Sequence, residues 1–281
     1  MRPIYLSVLT AVLFCAAFVG CGGESPEQLR EKGKKLFADE QYGKAREFFG
    51  QALKANPSDR ELLFLMGMAY RKDQMYDSAL SCLRRVDLLY PKDREVNQNL
   101  FDVAMALNDW GIARSALRGM IDMGVAPPHH WKIMADLWRR SDHPGNTYNF
   151  TKMALLDDPD DMDLWVQAAN AASIVDSAKV AIAYIDTAIE KFGPKDMLIA
   201  NRGTFLSFDK KYDSAEMIFR GLLVKDTASA QYQLNLAHAL SAQSSKDKKR
   251  EALSLYRKVA PQLGPEFKID SLITALDSVL K

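Results

Sequence analysis

Histidine and cysteine are scarce in this chain, at four and three residues out of 281. A metal centre needs three or four converging ligands. His129 and His130, with His143 in the turn after the same helix, could approach one another, but no cysteine or ordered carboxylate joins them. They read as solvent-facing residues at a helix start. No phosphate-binding glycine loop, metalloprotease helix or nucleophile elbow occurs either. These absences exclude the usual catalytic constellations, so the chain is read as a non-enzyme without a cofactor or a small-molecule substrate. Neither sign of charge is in excess, with 37 Lys and Arg against 36 Asp and Glu, which leaves no electrostatic footprint for nucleic acid.

The local clusters are equally plain. Asp157, Asp158, Asp160, Asp161 and Asp163 lack the glycine and distal glutamate of a calcium loop. They suit a helix start, where free N–H groups and the helix dipole favour carboxylates. Lys246, Lys248, Lys249 and Arg250 read as a solvated loop in an enlarged turn. A single long apolar run exists, residues 4–19, and it is short for a membrane-spanning helix.

What the sequence does have is a period. Ala45, Ala79, Ala113, Ala181 and Ala215 fall at multiples of 34 residues, with Thr147 as the one interruption. Pro57, Pro91 and Pro159 follow twelve residues after a member of that series, and Phe49, Leu83 and Leu117 four residues after. Such a repeat implies stacked copies of one supersecondary unit. Within the unit, spacings of three and four place Leu63, Met66, Gly67 and Tyr70 on one helix face and Ala79, Leu83 and Val86 on another. Pro91 ends the unit because proline cannot continue a helix.

This pattern resembles the tetratricopeptide repeat (TPR), with its W-x2-L-G-x2-Y, A-x3-F and closing proline. The resemblance implies an all-α helix-turn-helix solenoid of about seven repeats over residues 26–264. Repeats are expected at 26–59, 60–93, 94–127, 128–161, 162–195, 196–229 and 230–264. The third is degenerate, with Val125 at the proline site, and the fifth is expected to gain a residue because its proline is Pro194. Residues 265–281 carry Phe267, Ile269, Leu272, Ile273, Leu276, Val279 and Leu280 at helical spacing, and a solenoid's terminal apolar face needs a cover. They are read as a C-terminal capping helix.

Residues 1–20 have the layout of a secretory signal, with Arg2 ahead of the apolar run. Phe18, Val19, Gly20 and Cys21 resemble the lipobox of bacterial lipoproteins, although leucine is usual where Phe18 stands. The resemblance implies a cleaved signal peptide, more than one acyl chain (palmitate among them) on Cys21, and stable anchoring. Gly22 in place of aspartate implies the outer membrane, facing the periplasm, in a bacterium with two membranes. The linker, residues 21–25, spans at most about 14 Å beyond the cysteine, so the solenoid starts near the bilayer. A membrane-proximal partner is expected. With Cys15 in the signal and Cys21 acylated, Cys82 stands alone, and no internal disulfide can form.

In TPR proteins the first helix of each repeat lines a concave groove. Carried over by position, this implies groove residues Arg30, Lys34, Phe64, Met68, Arg71, Asn99, Asp102, Lys132, Asp136, Asn170, Asn201 and Asn235. An asparagine amide donates and accepts, so it can pair with any peptide backbone. Leu65 and Glu95 stand where a two-carboxylate clamp needs asparagine and lysine, which argues against that ligand, and Phe64 with Met68 implies a partly apolar one. The expected function is a non-catalytic scaffold that binds an envelope protein or peptide for assembly or positioning. The alternative is an adaptor that recruits or regulates a cell-wall or other envelope enzyme.

Overall fold

The computed structural model describes residues 24–281, so the signal peptide and Cys21 lie outside the described residues. Fifteen α-helices and no strand occur among those residues. They form two compact units, residues 24–123 and 124–281. The first contains α1 (Pro26–Ala38), α2 (Tyr42–Leu53), α3 (Arg60–Lys72), α4 (Tyr76–Leu89), α5 (Arg94–Leu107) and α6 (Trp110–Asp122). In the second, α7 (His130–Arg140) pairs with α8 (Pro144–Asp157), α9 (Met162–Val175) with α10 (Ala178–Phe192), and α11 (Asp196–Phe208) with α12 (Tyr212–Lys225). Then come α13 (Ala230–Ser241), α14 (Lys246–Val259) and α15 (Ile269–Leu280). None of these helices is long and apolar enough to cross a membrane.

The 34-residue period governs the ends of helices as well as their faces. Ser25, Asp59, Asp93, Asp161 and Ser229 cap α1, α3, α5, α9 and α13, each accepting a backbone N–H from the first turn. In the same register, Glu40, Gln74, Asn108, Asp142 and Lys210 take the left-handed conformation between paired helices. The following amide then reaches back to the last turn, as in Gln41 N–H to Leu36 C=O at 2.8 Å and Lys211 N–H to Leu206 C=O at 2.8 Å. Repeat four starts late. Pro127 stands at the capping position, and α7 begins only at His130, behind His129 at φ 56° with no side-chain cap.

Packing explains the glycines. A Cβ on Gly33 would lie 2.5 Å from the Phe49 ring, and one on Gly203 would lie 2.8 Å from the Phe219 ring. Ala135, Ala169 and Ala237 hold the equivalent place in other repeats and are fully buried. The paired helices are thus close because one partner has little or no side chain there, and Ala45, Ala79, Ala113, Ala181 and Ala215 do the same from the second helix. The fifth repeat departs from expectation. Pro194 adds no residue, because Gly193 at φ 83° ends α10 and α11 starts at Asp196, 34 residues after the start of α9. The cover expected at the end is present: α15 packs on α14, burying Ile269 and Leu276 in a cluster with Leu253, Tyr256 and Val259.

Candidate functional site

The first-helix face of residues 24–123 is largely satisfied by its own side chains. Arg30 pairs with Asp59 and Glu61, and Lys34 Nζ lies 2.7 Å from Glu61. The Glu61 hydrogen bond holds the Lys34 ammonium above its ordinary pKa, against some loss of solvent. Phe64 is half-buried against the Leu63 and Val96 cluster, and Met68 is half-buried on the same helix. Asn99 is not a free amide. Its Oδ1 accepts from Arg71 at 2.6 Å, its Nδ2 donates to Glu95 C=O at 2.8 Å, and the residue is buried. Arg71 also reaches Asp102 at 2.8 Å.

Residues 124–281 divide into engaged and open groups. Lys132 pairs with Asp161, the cap of α9, and that hydrogen bond raises the lysine pKa. Asp136 is held between Arg139 and Arg140; burial would raise its pKa, but the two arginine hydrogen bonds outweigh it and lower it. Asn170 and Asn201 differ, for neither side chain has a hydrogen-bond partner among the described residues; Asn170 is exposed and Asn201 half-buried. Asn235 is half engaged, accepting from Gln231 at 3.1 Å and lying 3.5 Å from Thr204 Oγ1.

One residue was missed by sequence reasoning. Gln167 on α9 has its Oε1 buried without a donor, an arrangement that costs free energy until a donor arrives. It borders a cleft of about 140 Å³ with Asn170, Ile174, Arg139, His143 and Pro144. The signal was available: Gln167 stands 34 residues before Asn201 and 68 before Asn235, so one helical position carries an amide in three successive repeats. Asn99 holds the same position in repeat three.

A second cleft, about 430 Å³, lies between α11 and α13 and ends at Phe267. Phe208 on its wall is 62% exposed and Phe267 38% exposed, whereas Phe219 at its base is fully buried. His238 also lines it, with Nδ1 2.9 Å from the Tyr256 hydroxyl, and burial lowers its pKa.

The remaining sequence features have structural roles. His130 packs against Trp131 at a tilt and His143 edge-on against Trp138, at ring distances of 4.6 and 5.2 Å, and no group of metal-ligating residues occurs among the described ones. Asp161 caps α9, as expected of the acidic run. The basic stretch is corrected: Lys246, Lys248, Lys249 and Arg250 form the first turns of α14, capped by Ser245, and are not a loop. Lys248 reaches back to Glu216 at 2.8 Å and Asp213 at 3.3 Å, which ties that turn to α12. Cys82 is half-buried, and loss of solvent raises its thiol pKa.

Residues 36–98 match the tetratricopeptide repeat family. Among solved structures, a chain of Naa15/Naa10 bound to HypK-THB aligns with a TM-score of 0.67 at 15% identity, covering 84% of this chain. The present chain spans 36% of that one. A tetratricopeptide repeat protein from Parabacteroides merdae aligns over 90% of this chain and 99% of its own, at 14% identity and a TM-score of 0.48. YrrB, a TPR protein described as having an unusual peptide-binding site, aligns over 66% of this chain and 95% of its own at 10% identity and a TM-score of 0.48. No protein of curated function matches the sequence.

Proposed function

We propose that this TPR protein is a non-catalytic scaffold that binds an extended segment of a partner protein on the first-helix face of residues 124–281. The observation that carries this reading is the set of unused amides at Gln167, Asn170 and Asn201, in a structure whose other groove-facing polar groups are mostly paired. Gln167 and Asn201 stand one repeat apart and Asn170 one turn along α9, and such amides can pair with the donors and acceptors of an extended backbone without regard to its side chains. The Naa15/Naa10 structure is one bound to HypK-THB, which is consistent with protein binding by a related fold. The proposed setting is the bacterial envelope, with lipid on Cys21 holding the scaffold at the outer membrane beside a membrane-proximal partner. The lipobox-like sequence supports that setting.

The test is in-cell cross-linking followed by affinity purification from detergent-solubilised envelope and mass spectrometry. The Asn170→Ala, Asn201→Ala double variant is expected to lose a partner that the unaltered chain retains, with helical content and melting unchanged. A partner retained equally by both would remove the amide face as its site. Cys21→Ser is expected to release the chain from the membrane fraction, and retention there would refute the lipid anchor.

A further inference from the structure

The cleft between α11 and α13 has a composition unlike the rest of the first-helix face. Its lining contains Thr204, Ser207, Phe208, Asn235, His238 and Phe267, and no lysine, arginine, aspartate or glutamate. Two of its three hydroxyls are already spent as donors, since Thr204 Oγ1 donates to Ala200 C=O at 3.1 Å and Ser207 Oγ donates to Gly203 C=O at 3.2 Å, and the third belongs to Tyr212. Gln231 donates to Asn235 across the rim. A charged occupant would therefore enter without a counter-ion and lose its hydration, which is costly. An apolar occupant loses nothing and covers two exposed phenyl rings. At about 430 Å³ the cleft is of the size that encloses a small ligand or a side chain rather than a folded surface.

Phe267 closes this cleft from outside the repeat array. It ends the short 3₁₀ turn Pro265–Phe267, and Lys268 in the left-handed conformation then turns the chain into α15. The capping segment therefore has a second role beyond covering the last repeat, because it supplies the end wall. We infer that this cleft takes one bulky uncharged apolar side chain, aromatic or leucine-like, from the bound partner segment, and that Phe267 sets where that segment stops. The inference rests on the peptide reading above and deepens it: the open amides on α9 and α11 hold backbone, and the cleft supplies the choice of side chain.

The full chain is titrated by NMR with N-acetyl-phenylalaninamide and, in parallel, N-acetyl-lysinamide. It is also panned against a library of random dodecapeptides. The phenylalanine probe is expected to bind in the millimolar range usual for so small a ligand, shifting Thr204 and His238 signals, with the lysine probe at least about tenfold weaker. Phe267→Ala and the exposed Phe208→Ala should each weaken the phenylalanine probe about fivefold or more. Enriched dodecapeptides should share one bulky apolar position on the unaltered chain and lose it on Phe267→Ala.

Equal binding of the two probes, or insensitivity to both phenylalanine variants, would overturn the inference. So would enriched peptides without an apolar position, although the peptide reading would then stand. Probe binding with no enriched peptide would instead refute the peptide reading and, with it, the assignment of the occupant to a partner segment.

Discussion

Glu216 joins the last two repeats, and removing its charge should destabilise them in a pH-dependent way. Its carboxylate accepts from Lys248 at 2.8 Å, Gln243 at 3.0 Å and Arg220 at 2.9 Å, while Arg220 reaches on to Glu251 at 2.8 Å. Burial alone would raise its pKa, but the three hydrogen bonds outweigh this and bring it down from 4.5 to about 2. At about 1.4 kcal/mol for each pKa unit, that depression corresponds to roughly 3 kcal/mol of stability at neutral pH. The sign follows from proton binding. Between pH 4.5 and about 2 the unfolded chain takes up a proton that folded Glu216 refuses, so stability falls as the pH drops through that window.

Glu216→Gln keeps the shape and one acceptor, so the expected loss at pH 7 is about 1–3 kcal/mol. The difference between variant and unaltered chain should shrink steadily below pH 4.5 and vanish near pH 2. Urea unfolding followed by far-UV circular dichroism across that range measures it. Hydrogen exchange on α12 and α14 localises it, which matters because repeat arrays need not unfold in one step. A deficit that is the same at pH 3 and pH 7 would refute the electrostatic reasoning, and no deficit at all would mean that the network contributes nothing.

Two further outcomes follow from packing and titration. Gly203→Ala would place a Cβ 2.8 Å from Phe219 and 2.9 Å from Ile218, both held in the core, so a loss of about 1–3 kcal/mol is expected in urea melts; a neutral substitution would mean that the helices can part at no cost. His238 has its pKa lowered by burial beside Tyr256, so stability is full above the ordinary value of 6.5 and falls as acidification protonates the unfolded chain first. His238→Gln should flatten the stability slope that sets in below the ordinary value of 6.5, and an unchanged slope would assign it to other groups.

The alanine and proline period made the fold legible because helix pairing depends on small residues at fixed places, and those places cannot drift without losing contact. Ala45, Ala79 and Ala215 sit in the core as their spacing required. The end cap was legible for a similar reason, through the apolar spacing of Ile269 and Leu276. The groove was less so. Position alone cannot tell an available polar group from an engaged one, and Asn99, Lys132 and Asp136 are engaged by Arg71, Asp161 and the Arg139/Arg140 pair. Conversely, Gln167 belongs to the same series only through the amide that glutamine shares with asparagine, so an asparagine pattern does not contain it. The basic run at the start of α14 reads as a loop by its charge alone, although Ser245 before it is the cap that marks a helix start. The spacing also put Phe267 on the capping helix, but Pro265 and the left-handed Lys268 confine it to a 3₁₀ turn before α15.

Asp59, Asp93 and Asp161 each serve two masters. Every one caps the helix that follows it and also receives a cation from the preceding first helix: Arg30, Arg60 and Lys132, respectively. The copies are therefore modular in sequence but not in bonding. A whole period excised or duplicated between two such aspartates keeps a carboxylate at the join, whereas a cut that removes the aspartate takes a cap from one helix and an ion-pair partner from another, a double penalty. The seams before α7 and α11 have no side-chain cap, and a cut there forfeits no such shared carboxylate. Gene-level shuffling of this array, whether by evolution or by an engineer, should leave its scars at those two places.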